Sequence, residues 1–458
     1  MTKTVFDKLW DAHRVKTLPT GEDLIAIDRV FLHERTGSVA LESLLESGRK
    51  PLAPKRVFCT MDHIVSTQAG RGRNDARTPG GGVFITATRS AAKKAGINLI
   101  DIDSPEQGIV HVISPELGIA QPGLTLVCPD SHTCSQGALG ALAWGIGSTD
   151  AEHAMATGTL RLQKPPQMRI QINGKLPIGV TAKDLALHII ALEGAAGAKR
   201  CAIEYCGETV KALPIEARLT LCNMAVEFAA FTAIIAPDET TFDYLKDKRF
   251  SPDEKNWQEA QAYWETLKSD VDADFDFEIE INAEEVRPTV TWGTSPSQSG
   301  ALGTIIPEDA DEKALSYMGL KKGQSVENIE IGGAFIGSCT NARLSDLRAA
   351  ADIIKGNKVA SGIRAICVPG STAVRRAAEN EGLDKVFKDA GFEWGEAGCA
   401  FCFYAGGETF KPGTRVISST NRNFEGRQGP GVRTHLASPA VVAASAIAGR
   451  ITAPETQT

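Results

Sequence analysis

Two cysteines three positions apart, Cys399 and Cys402, lie in the glycine-flanked segment "WGEAGCAFCFYAGGE", which is typical of a loop. Such a pair can bind zinc, form a disulfide, hold an iron–sulfur cluster or pack in a core. A zinc ribbon needs a second pair of ligands, and the sequence contains no other CxxC and no His close to this one. A thioredoxin-like redox motif starts a helix early in a small domain, whereas this pair lies late in a long chain.

A third cysteine, Cys339, follows the apolar run "IGGAFIG" and precedes the helix-like pattern "NARLSDLRAA". It is predicted at a strand-to-helix turn, where amide N–H groups and the helix dipole favour a thiolate. Three thiolates from two loops suggest an iron–sulfur cluster with one iron left without a protein ligand, since such clusters normally take four cysteines. An open iron is a Lewis acid that can take a substrate oxygen. On these residues alone, structural cysteines remain the alternative.

Histidines close to carboxylates are the candidates for acid–base chemistry. The residues of this kind that the sequence singles out are Asp62, His63, His111, Asp130 and His132. A carboxylate beside an imidazole fixes its tautomer and raises its pKa. Taken alone, an Asp-His pair is more often a surface or capping pair.

The segment "NRNFEGRQG" supplies candidates for binding an acid. It contains Asn421, Arg422 and Arg427, and the planar guanidinium fork suits a carboxylate. Taken alone, the segment is equally a loop with solvated arginines. Together with three thiols and several imidazoles, however, it favours a site over a solvated loop.

The elements that must position these residues are predicted to be α/β units. Strand-like runs such as "RVFCTM", "GIVHVIS" and "LTLVCPD" alternate with glycine-rich turns and alanine-rich helices. Later runs lead into the cysteine and arginine loops, as expected where an open sheet gathers ligands at its carboxyl ends. We predict three domains, 1–165 with the Asp-His loops, 166–289 with an Asn-Glu segment, and 290–458 with the cysteines and the Asn-Arg loop.

The composition favours a cytoplasmic globular protein. The net charge of −7 disfavours nucleic-acid binding, the start lacks a signal peptide, and the longest apolar runs fall short of the ~20 residues that span a bilayer. The tail "ITAPETQT" is predicted to be disordered. Five further cysteines in apolar contexts are interpreted as buried packing, namely Cys59, Cys128, Cys201, Cys222 and Cys367.

In combination the motifs resemble the aconitase superfamily of iron–sulfur hydro-lyases. The segments that carry the resemblance keep the family's order: "TMDHIVSTQ" at 60–68, "CPDSHTCSQGALGALAWGIG" at 128–147, "LCNMAVEFAA" at 221–230, "GSCTN" at 337–341, "GCAFC" at 398–402 and "SSTNRNFEGRQG" at 418–429. The resemblance implies three similar α/β/α domains around an iron–sulfur cluster, without the swivelling fourth domain of single-chain members. It implies one 4Fe–4S cluster per subunit, held by Cys339, Cys399 and Cys402, with one iron not bound by protein.

The resemblance also implies roles for the polar residues. It pairs Asp62 with His63, Asp130 with His111, and Glu227 with His132 as catalytic groups. It implies substrate contacts by His33, Ser131, Asn223, Asn421, Arg422 and Arg427. No match to the Ser/Arg loop of the swivelling domain is found, so a separate small subunit is expected to complete the active site.

The substrate implied is a small hydroxy di- or tricarboxylic acid. The segments "VTWGTSPSQ" and "NRNFEGRQGPGVRTHLASPA" resemble the isopropylmalate dehydratases of leucine biosynthesis, which convert 2-isopropylmalate to 3-isopropylmalate. Two departures, "LHERTGSVALESL" near the N-terminus and "AGRGRNDARTP", keep methylmalate (through citraconate), dimethylmalate and maleate open. Arg71, Arg73 and Arg77 in the second departure are either solvated or contacts to a more polar acid.

Three other classes of protein remain as alternatives. An electron carrier would close the cluster with a fourth thiolate, an RNA-binding protein would show salt-dependent affinity, and a structural zinc protein would hold no iron. No membrane partner is expected. The sequence does not distinguish a heterodimer from a heterotetramer.

Overall fold

Three separate parallel β-sheets follow one another along the chain in the computed structural model, which describes residues 2–454. The N-terminal sheet has the spatial strand order Asn98–Ile100, Val57–Thr60, Arg29–His33, Thr125–Cys128 and Leu142–Gly145. The middle sheet has the order Thr232–Ile234, Ala202–Cys206, Gln167–Asn173 and Phe277–Asn282. The C-terminal sheet has the order Glu393–Trp394, Arg364–Cys367, Gly333–Ile336, Arg415–Ser418 and Arg433–Leu436.

The three sheets share one topology. In each, the first strand of the unit lies inside the sheet, the second and third strands extend to one side, and the fourth lies on the other side. The chain therefore reverses its direction of winding beside each first strand, and this reversal opens a crevice at the carboxyl ends of the strands. The predicted α/β class with three similar parallel units is confirmed. The domain boundaries at 165/166 and 289/290 stay a prediction.

Helices and smaller strands complete the structure. Fifteen α-helices lie within residues 2–454: Val5–His13, Gly37–Glu46, Gly81–Ala95, Val110–Glu116, Ser148–Thr157, Ala182–Glu193, Glu208–Ala212, Ile215–Met224, Glu239–Leu245, Glu254–Trp264, Glu312–Met318, Leu344–Ile354, Thr372–Asn380, Leu383–Ala390 and Pro439–Ala448. The remaining strands form an antiparallel sheet of Arg14–Thr17, Asp23–Ala26 and Thr159–Leu162 and a hairpin of Thr289–Thr291 and Ser299–Ala301.

The apolar run near the C-terminus and the cysteines in apolar contexts are both buried in the structure. The run "PAVVAASAIA" forms helix Pro439–Ala448, which is capped by a left-handed Gly449 and buried in the C-terminal core. No helix in the described part of the chain is both long enough and apolar enough to cross a membrane. All five cysteines interpreted as packing residues are buried, which confirms that interpretation.

Two local predictions were wrong. The run "GIVHVIS" forms part of helix Val110–Glu116 and not a strand; every residue from Val110 to Pro115 is buried, so the run lacks the periodicity that separates a short helix from a strand. The tail is ordered at its start, because Ile451 is fully buried and its N–H donates to the Ile329 carbonyl. Residues 455–458 of the predicted disordered tail lie outside the described residues.

The N-terminal and middle sheets share one hydrophobic core, and Gly137 permits their close approach. It lies in the 3-10 helix Ser131–Leu139, and its carbonyl accepts the N–H of Ile235 at 2.9 Å. A Cβ added at Gly137 would lie 1.7 Å from the carbonyl oxygen of Ala233, which belongs to a strand of the middle sheet. Only glycine fits without moving backbone.

Replacing Gly137 with alanine is expected to lower the free energy of unfolding by about 1–3 kcal/mol, because the new methyl group must displace a β-strand. Urea denaturation followed by circular dichroism measures the loss. Gly147→Ala is the control, since its φ is −81° and the nearest atom to the added Cβ is 3.9 Å away. Equal losses in the two variants would contradict the packing argument.

Candidate active site

The candidate residues gather at the carboxyl edges of the N-terminal and C-terminal sheets. His33 ends the central strand of the N-terminal sheet, and Asp62 and Asp130 follow two residues after the strands on either side. Cys339 lies three residues after the central strand of the C-terminal sheet, and Asn421 lies three residues after its neighbour. These are the positions at which the shared topology opens a crevice.

A cavity of about 300 Å³ lies where the two edges meet. Eleven of the predicted site residues line it: His33, His63, His111, Asp130, Ser131, His132, Cys339, Cys399, Cys402, Arg422 and Arg427. The other four predicted residues, Asp62, Asn223, Glu227 and Asn421, are hydrogen-bonded to members of this set. The structure thus brings together all the residues that the sequence singled out.

Asp130 is the shared acceptor of the imidazoles. Its Oδ1 lies 2.9 Å from Nε2 of His111 and accepts the backbone N–H of His132 at 2.8 Å, while its Oδ2 lies 3.1 Å from Nε2 of His63. Burial opposes ionisation, but His111, His132 and His63 outweigh it and lower the pKa of the Asp130 carboxyl well below its usual value. Asp130 is therefore a fixed negative charge.

His63 is held between two carboxylates. Its Nδ1 lies 2.6 Å from Oδ1 of Asp62, and its Nε2 faces Asp130. Burial opposes the charge, yet Asp62 and Asp130 raise the pKa of His63 well above its usual value. The His33 ring stacks on His63 with centroids 3.9 Å apart, and burial together with the neighbouring imidazolium lowers the pKa of His33 to about 4. The stacked pair thus combines a charged and a neutral ring.

His132 is linked to the other two units of the chain. Its Nε2 lies 2.6 Å from Oε1 of Glu227, which precedes a strand of the middle sheet. The same carboxylate lies 2.8 Å from Nε of Arg422, which follows a strand of the C-terminal sheet. Burial opposes ionisation of Glu227, but His132 and Arg422 lower its pKa. The three predicted imidazole–carboxylate pairs are therefore all present in the structure.

The three cysteines are buried, and amide donors face one of them, Cys339. Sγ of Cys339 lies 3.2 Å from Nδ2 of Asn223 and 3.5 Å from Nδ2 of Asn421. Sγ of Cys402 lies 3.8 Å from Oδ1 of Asn421, which accepts from the thiol. Cys339 lies between strand Gly333–Ile336 and helix Leu344–Ile354, as the sequence predicts, and the helix begins five residues after it. Burial raises the pKa of the Cys339 thiol to about 12, and stabilisation of a thiolate by the helix end stays a prediction.

Comparison with known proteins agrees with this geometry. Residues 7–449 match the family model described as "Aconitase family (aconitate hydratase)". The chain belongs to the aconitase family. A curated relative, "3-isopropylmalate dehydratase large subunit 1" of Bradyrhizobium diazoefficiens, is 48% identical over 459 residues, which cover 98% of this chain and 96% of the relative.

Membership of the aconitase family implies a 4Fe–4S cluster, and the cysteine trio fits one. All three sulfurs line one cavity, and the amides of Asn223 and Asn421 and the guanidinium of Arg427 lie around them. Hydrogen bonds to sulfur are one means by which proteins tune such clusters. Cysteine sulfurs that share a single ion lie close together, yet the only His/Cys/Asp/Glu group in residues 2–454 whose ligand atoms all lie within 4.8 Å contains no cysteine. The three sulfurs therefore do not form a group as tight as the ligands of one zinc ion.

That close group consists of His33, Glu34, Asp62 and His63. Its oxygens already have partners: Glu34 accepts the backbone N–H groups of Asp62 at 3.0 Å and His63 at 2.8 Å, and also that of Ile64. Asp62 in turn accepts from His63 and from the N–H of Val110. The group is a hydrogen-bonded network that sets the backbone of one site loop.

The three uncertain arginines of the sequence do not line the cavity. Arg71 is tied to the loop before the cysteines, with Nη1 donating to the Ala397 carbonyl at 2.7 Å and Nη2 to Oε1 of Gln107 at 2.8 Å. Arg73 forms exposed ion pairs with Asp101 and Asp103, and Arg77 donates to Gln68 on the surface. Arg71 is therefore structural.

Several residues that shape this aconitase-family site went unrecognised in the sequence. Arg35, Thr36 and Phe403 line the cavity, Glu34 holds the Asp62–His63 loop, and Lys183 is fully buried with Nζ donating to the Ser419 and Thr420 carbonyls. Arg35 and Glu34 directly follow His33, so adjacency to a predicted site residue was a signal for both. Lys183 carried no signal, because its partners lie more than 200 residues away.

Replacing Glu34 with glutamine is expected to lower the free energy of unfolding by about 1–3 kcal/mol, because an amide NH₂ cannot accept the backbone N–H groups that the carboxylate accepts. Hydrogen exchange should also accelerate at residues 62–64. Glu42→Gln, on an exposed position of helix Gly37–Glu46, is the matched control. Unchanged exchange at residues 62–64 in the Glu34 variant would exclude this anchoring role.

Proposed function

We propose that this chain is the large subunit of an iron–sulfur hydro-lyase that isomerises 2-isopropylmalate to 3-isopropylmalate by removing water and adding it back. The observation that carries the proposal is one cavity lined by three cysteines, arginines and three imidazoles that are each hydrogen-bonded to a carboxylate. The name of the 48% identical relative supports the substrate and the leucine pathway. We place the protein in the cytoplasm.

Cys339, Cys399 and Cys402 would hold one 4Fe–4S cluster per subunit. Because only three of its irons would have a protein ligand, the bound cluster would supply one Lewis-acid iron for the substrate's hydroxyl and carboxylate oxygens. Asn223, Asn421 and Arg427 would donate to the sulfurs. An electron carrier needs a closed ligand set and has no use for the surrounding imidazoles, so the pairs favour the enzyme.

Proton transfer would depend on His63 and His132. His63 faces the cavity and is held protonated by Asp62 and Asp130, so it is suited to protonate the departing hydroxyl. His132 is oriented by Glu227, and His111 by Asp130. Ser131 is exposed at the cavity and would contact substrate. The catalytic base is expected on the small subunit.

The arginines would bind the substrate's carboxylates. Nε of Arg427 is buried and has no hydrogen-bond partner among the described residues, so this donor is free for a ligand. Arg422 is fixed by Glu227 through Nε, which leaves its other nitrogens for substrate. His33, which lines the cavity, would complete the contacts on this subunit, whereas the predicted contacts Asn223 and Asn421 are fully buried and would act through the sulfurs.

A separate small subunit is the proposed partner. The 48% identical relative is named as a large subunit, which supports a second, small subunit. Two aromatic residues close to cavity residues in the sequence are exposed: Tyr404 follows Phe403, and Phe424 lies two positions after Arg422. They offer a partner apolar surface beside the site.

A smaller or more polar acid, such as methylmalate, dimethylmalate or maleate, is the second candidate substrate. The lining of the cavity favours it. Among the described residues, the apolar ones that line the cavity, cysteines apart, are Ile109, Pro129 and Phe403. An isopropyl group would need apolar surface, and on this subunit only these three supply it.

The deciding experiment is anaerobic reconstitution of the chain with iron, sulfide and the small subunit from the same genome, followed by assays on a panel of malate-type acids. Turnover of 2-isopropylmalate in preference to methylmalate, dimethylmalate and maleate supports the proposal. Preference for a smaller acid supports the second candidate. A reconstituted cluster whose Mössbauer spectrum ignores every acid, without turnover, contradicts both.

Serine at position 339, 399 or 402 is expected to abolish cluster assembly, because each thiolate supplies one of only three protein bonds. Iron content and visible absorbance after reconstitution measure the loss. Cys222→Ser, a buried cysteine outside the cavity, should keep the full absorbance and lose only stability. A serine variant with normal absorbance would remove that residue from the ligand set.

A further inference from the structure

Arg35 is the cavity residue that neither the sequence motifs nor the catalytic pairs account for. It follows His33 and Glu34 at the carboxyl end of the central strand of the N-terminal sheet, and its side chain lines the cavity. Its guanidinium carbon lies 4.9 Å from the centroid of the Phe403 ring, which directly follows Cys402. Arg35 is exposed to solvent through the cavity.

The charge of Arg35 is not neutralised by the protein. Within residues 2–454 its side chain makes no hydrogen bond and no ion pair, and its guanidinium lies over the face of Phe403. By contrast, Arg422 is paired with Glu227 at 2.8 Å, and Arg427 approaches Sγ of Cys402 at 3.7 Å. Arg35 is thus the cavity cation whose five N–H donors are all free.

The aromatic contact gives that free guanidinium a defined position. A guanidinium over an aromatic face is attracted to it, which restricts a long side chain before any ligand arrives. The guanidinium carbon of Arg427 lies 5.7 Å from the same Phe403 centroid, so two planar donor forks flank one ring beside the cysteines. A planar fork of this kind matches a carboxylate.

We propose that Arg35 binds a carboxylate of the substrate and selects for dicarboxylic acids over monocarboxylic ones. The inference rests on the proposed function, because it assumes an acid in this cavity. One carboxylate of a small diacid would contact Arg35 while the other end lies among the cysteines, His63 and Arg427. The selectivity would arise on the large subunit, independently of groups that a small subunit adds.

The test uses the reconstituted complex with its small subunit and the variants Arg35→Gln, Arg35→Lys and, as a control, Arg49→Gln, an exposed arginine that does not line the cavity. We expect Arg35→Gln to raise KM for the diacid roughly ten- to thirtyfold, because a charged hydrogen bond is lost. The kcat and the cluster's visible absorbance should stay unchanged. The KM of Arg35→Lys should lie between those of the wild type and Arg35→Gln, since lysine keeps the charge but lacks the planar fork of donors.

A second measurement separates carboxylate binding from a structural effect. Inhibition by a 2-hydroxy acid that lacks the second carboxylate should be equal in wild type and Arg35→Gln, whereas inhibition by the matching diacid should weaken in the variant. Sedimentation of the two subunits shows whether the complex still forms.

The possible results have different consequences. An unchanged KM, an equal loss for both inhibitors, or dissociation of the small subunit in Arg35→Gln would overturn the role of Arg35 and leave the proposed function intact. A wild-type complex that neither binds nor converts any acid would overturn the proposed function and the role of Arg35 with it. A selective loss for diacids establishes the proposal.

Discussion

One buried carboxylate links the three units of the protein at the cavity, and the rest of the site is arranged around it. Glu227, whose side chain is 6% exposed, is contributed by the middle unit. It contacts His132 of the N-terminal unit and Arg422 of the C-terminal unit. Removing one partner of a buried pair leaves a charge uncompensated, at a cost of about 3–5 kcal/mol. Glu227 reaches both of its partners only when the three units are docked as they are here. The network therefore favours this arrangement of the units.

The same constraint explains why the site loops are held by side chains and not by regular secondary structure. Loops after parallel strands have free backbone groups, and buried ones need partners. Glu34 accepts the amides at 62–64, and Arg71 donates to the Ala397 carbonyl before the cysteines. The amide of Gln107 donates to the Met61 carbonyl. These bonds fix the reacting groups before a substrate arrives, which is the condition for electrostatic catalysis.

The strands and the site loops could be predicted from the sequence because they depend on local patterns, whereas the paired groups were implied by the resemblance to the aconitase superfamily. Apolar runs such as "RVFCTM" marked strands, and the residues after them formed the site. The sequence could not show that "GIVHVIS" is helical, since a fully buried run has no periodicity to read. It also missed Glu34 and Lys183, whose roles depend on contacts across about 30 and more than 200 positions.

Lys183 shows how the charge constraint extends beneath the cysteines. Its ammonium is fully buried, and its partners are the Ser419 and Thr420 carbonyls and the sulfur of Met224. Burial lowers its pKa to about 8, while Glu227 opposes the fall, so the amine is mainly protonated at neutral pH. A buried cation without a directly bonded carboxylate is costly unless negative charge lies nearby. Glu227 already shares its charge with His132 and Arg422. Asp184, Asp346 and Cys339 are the other groups that favour the ammonium, and a thiolate at position 339 would add negative charge that a neutral cysteine would not.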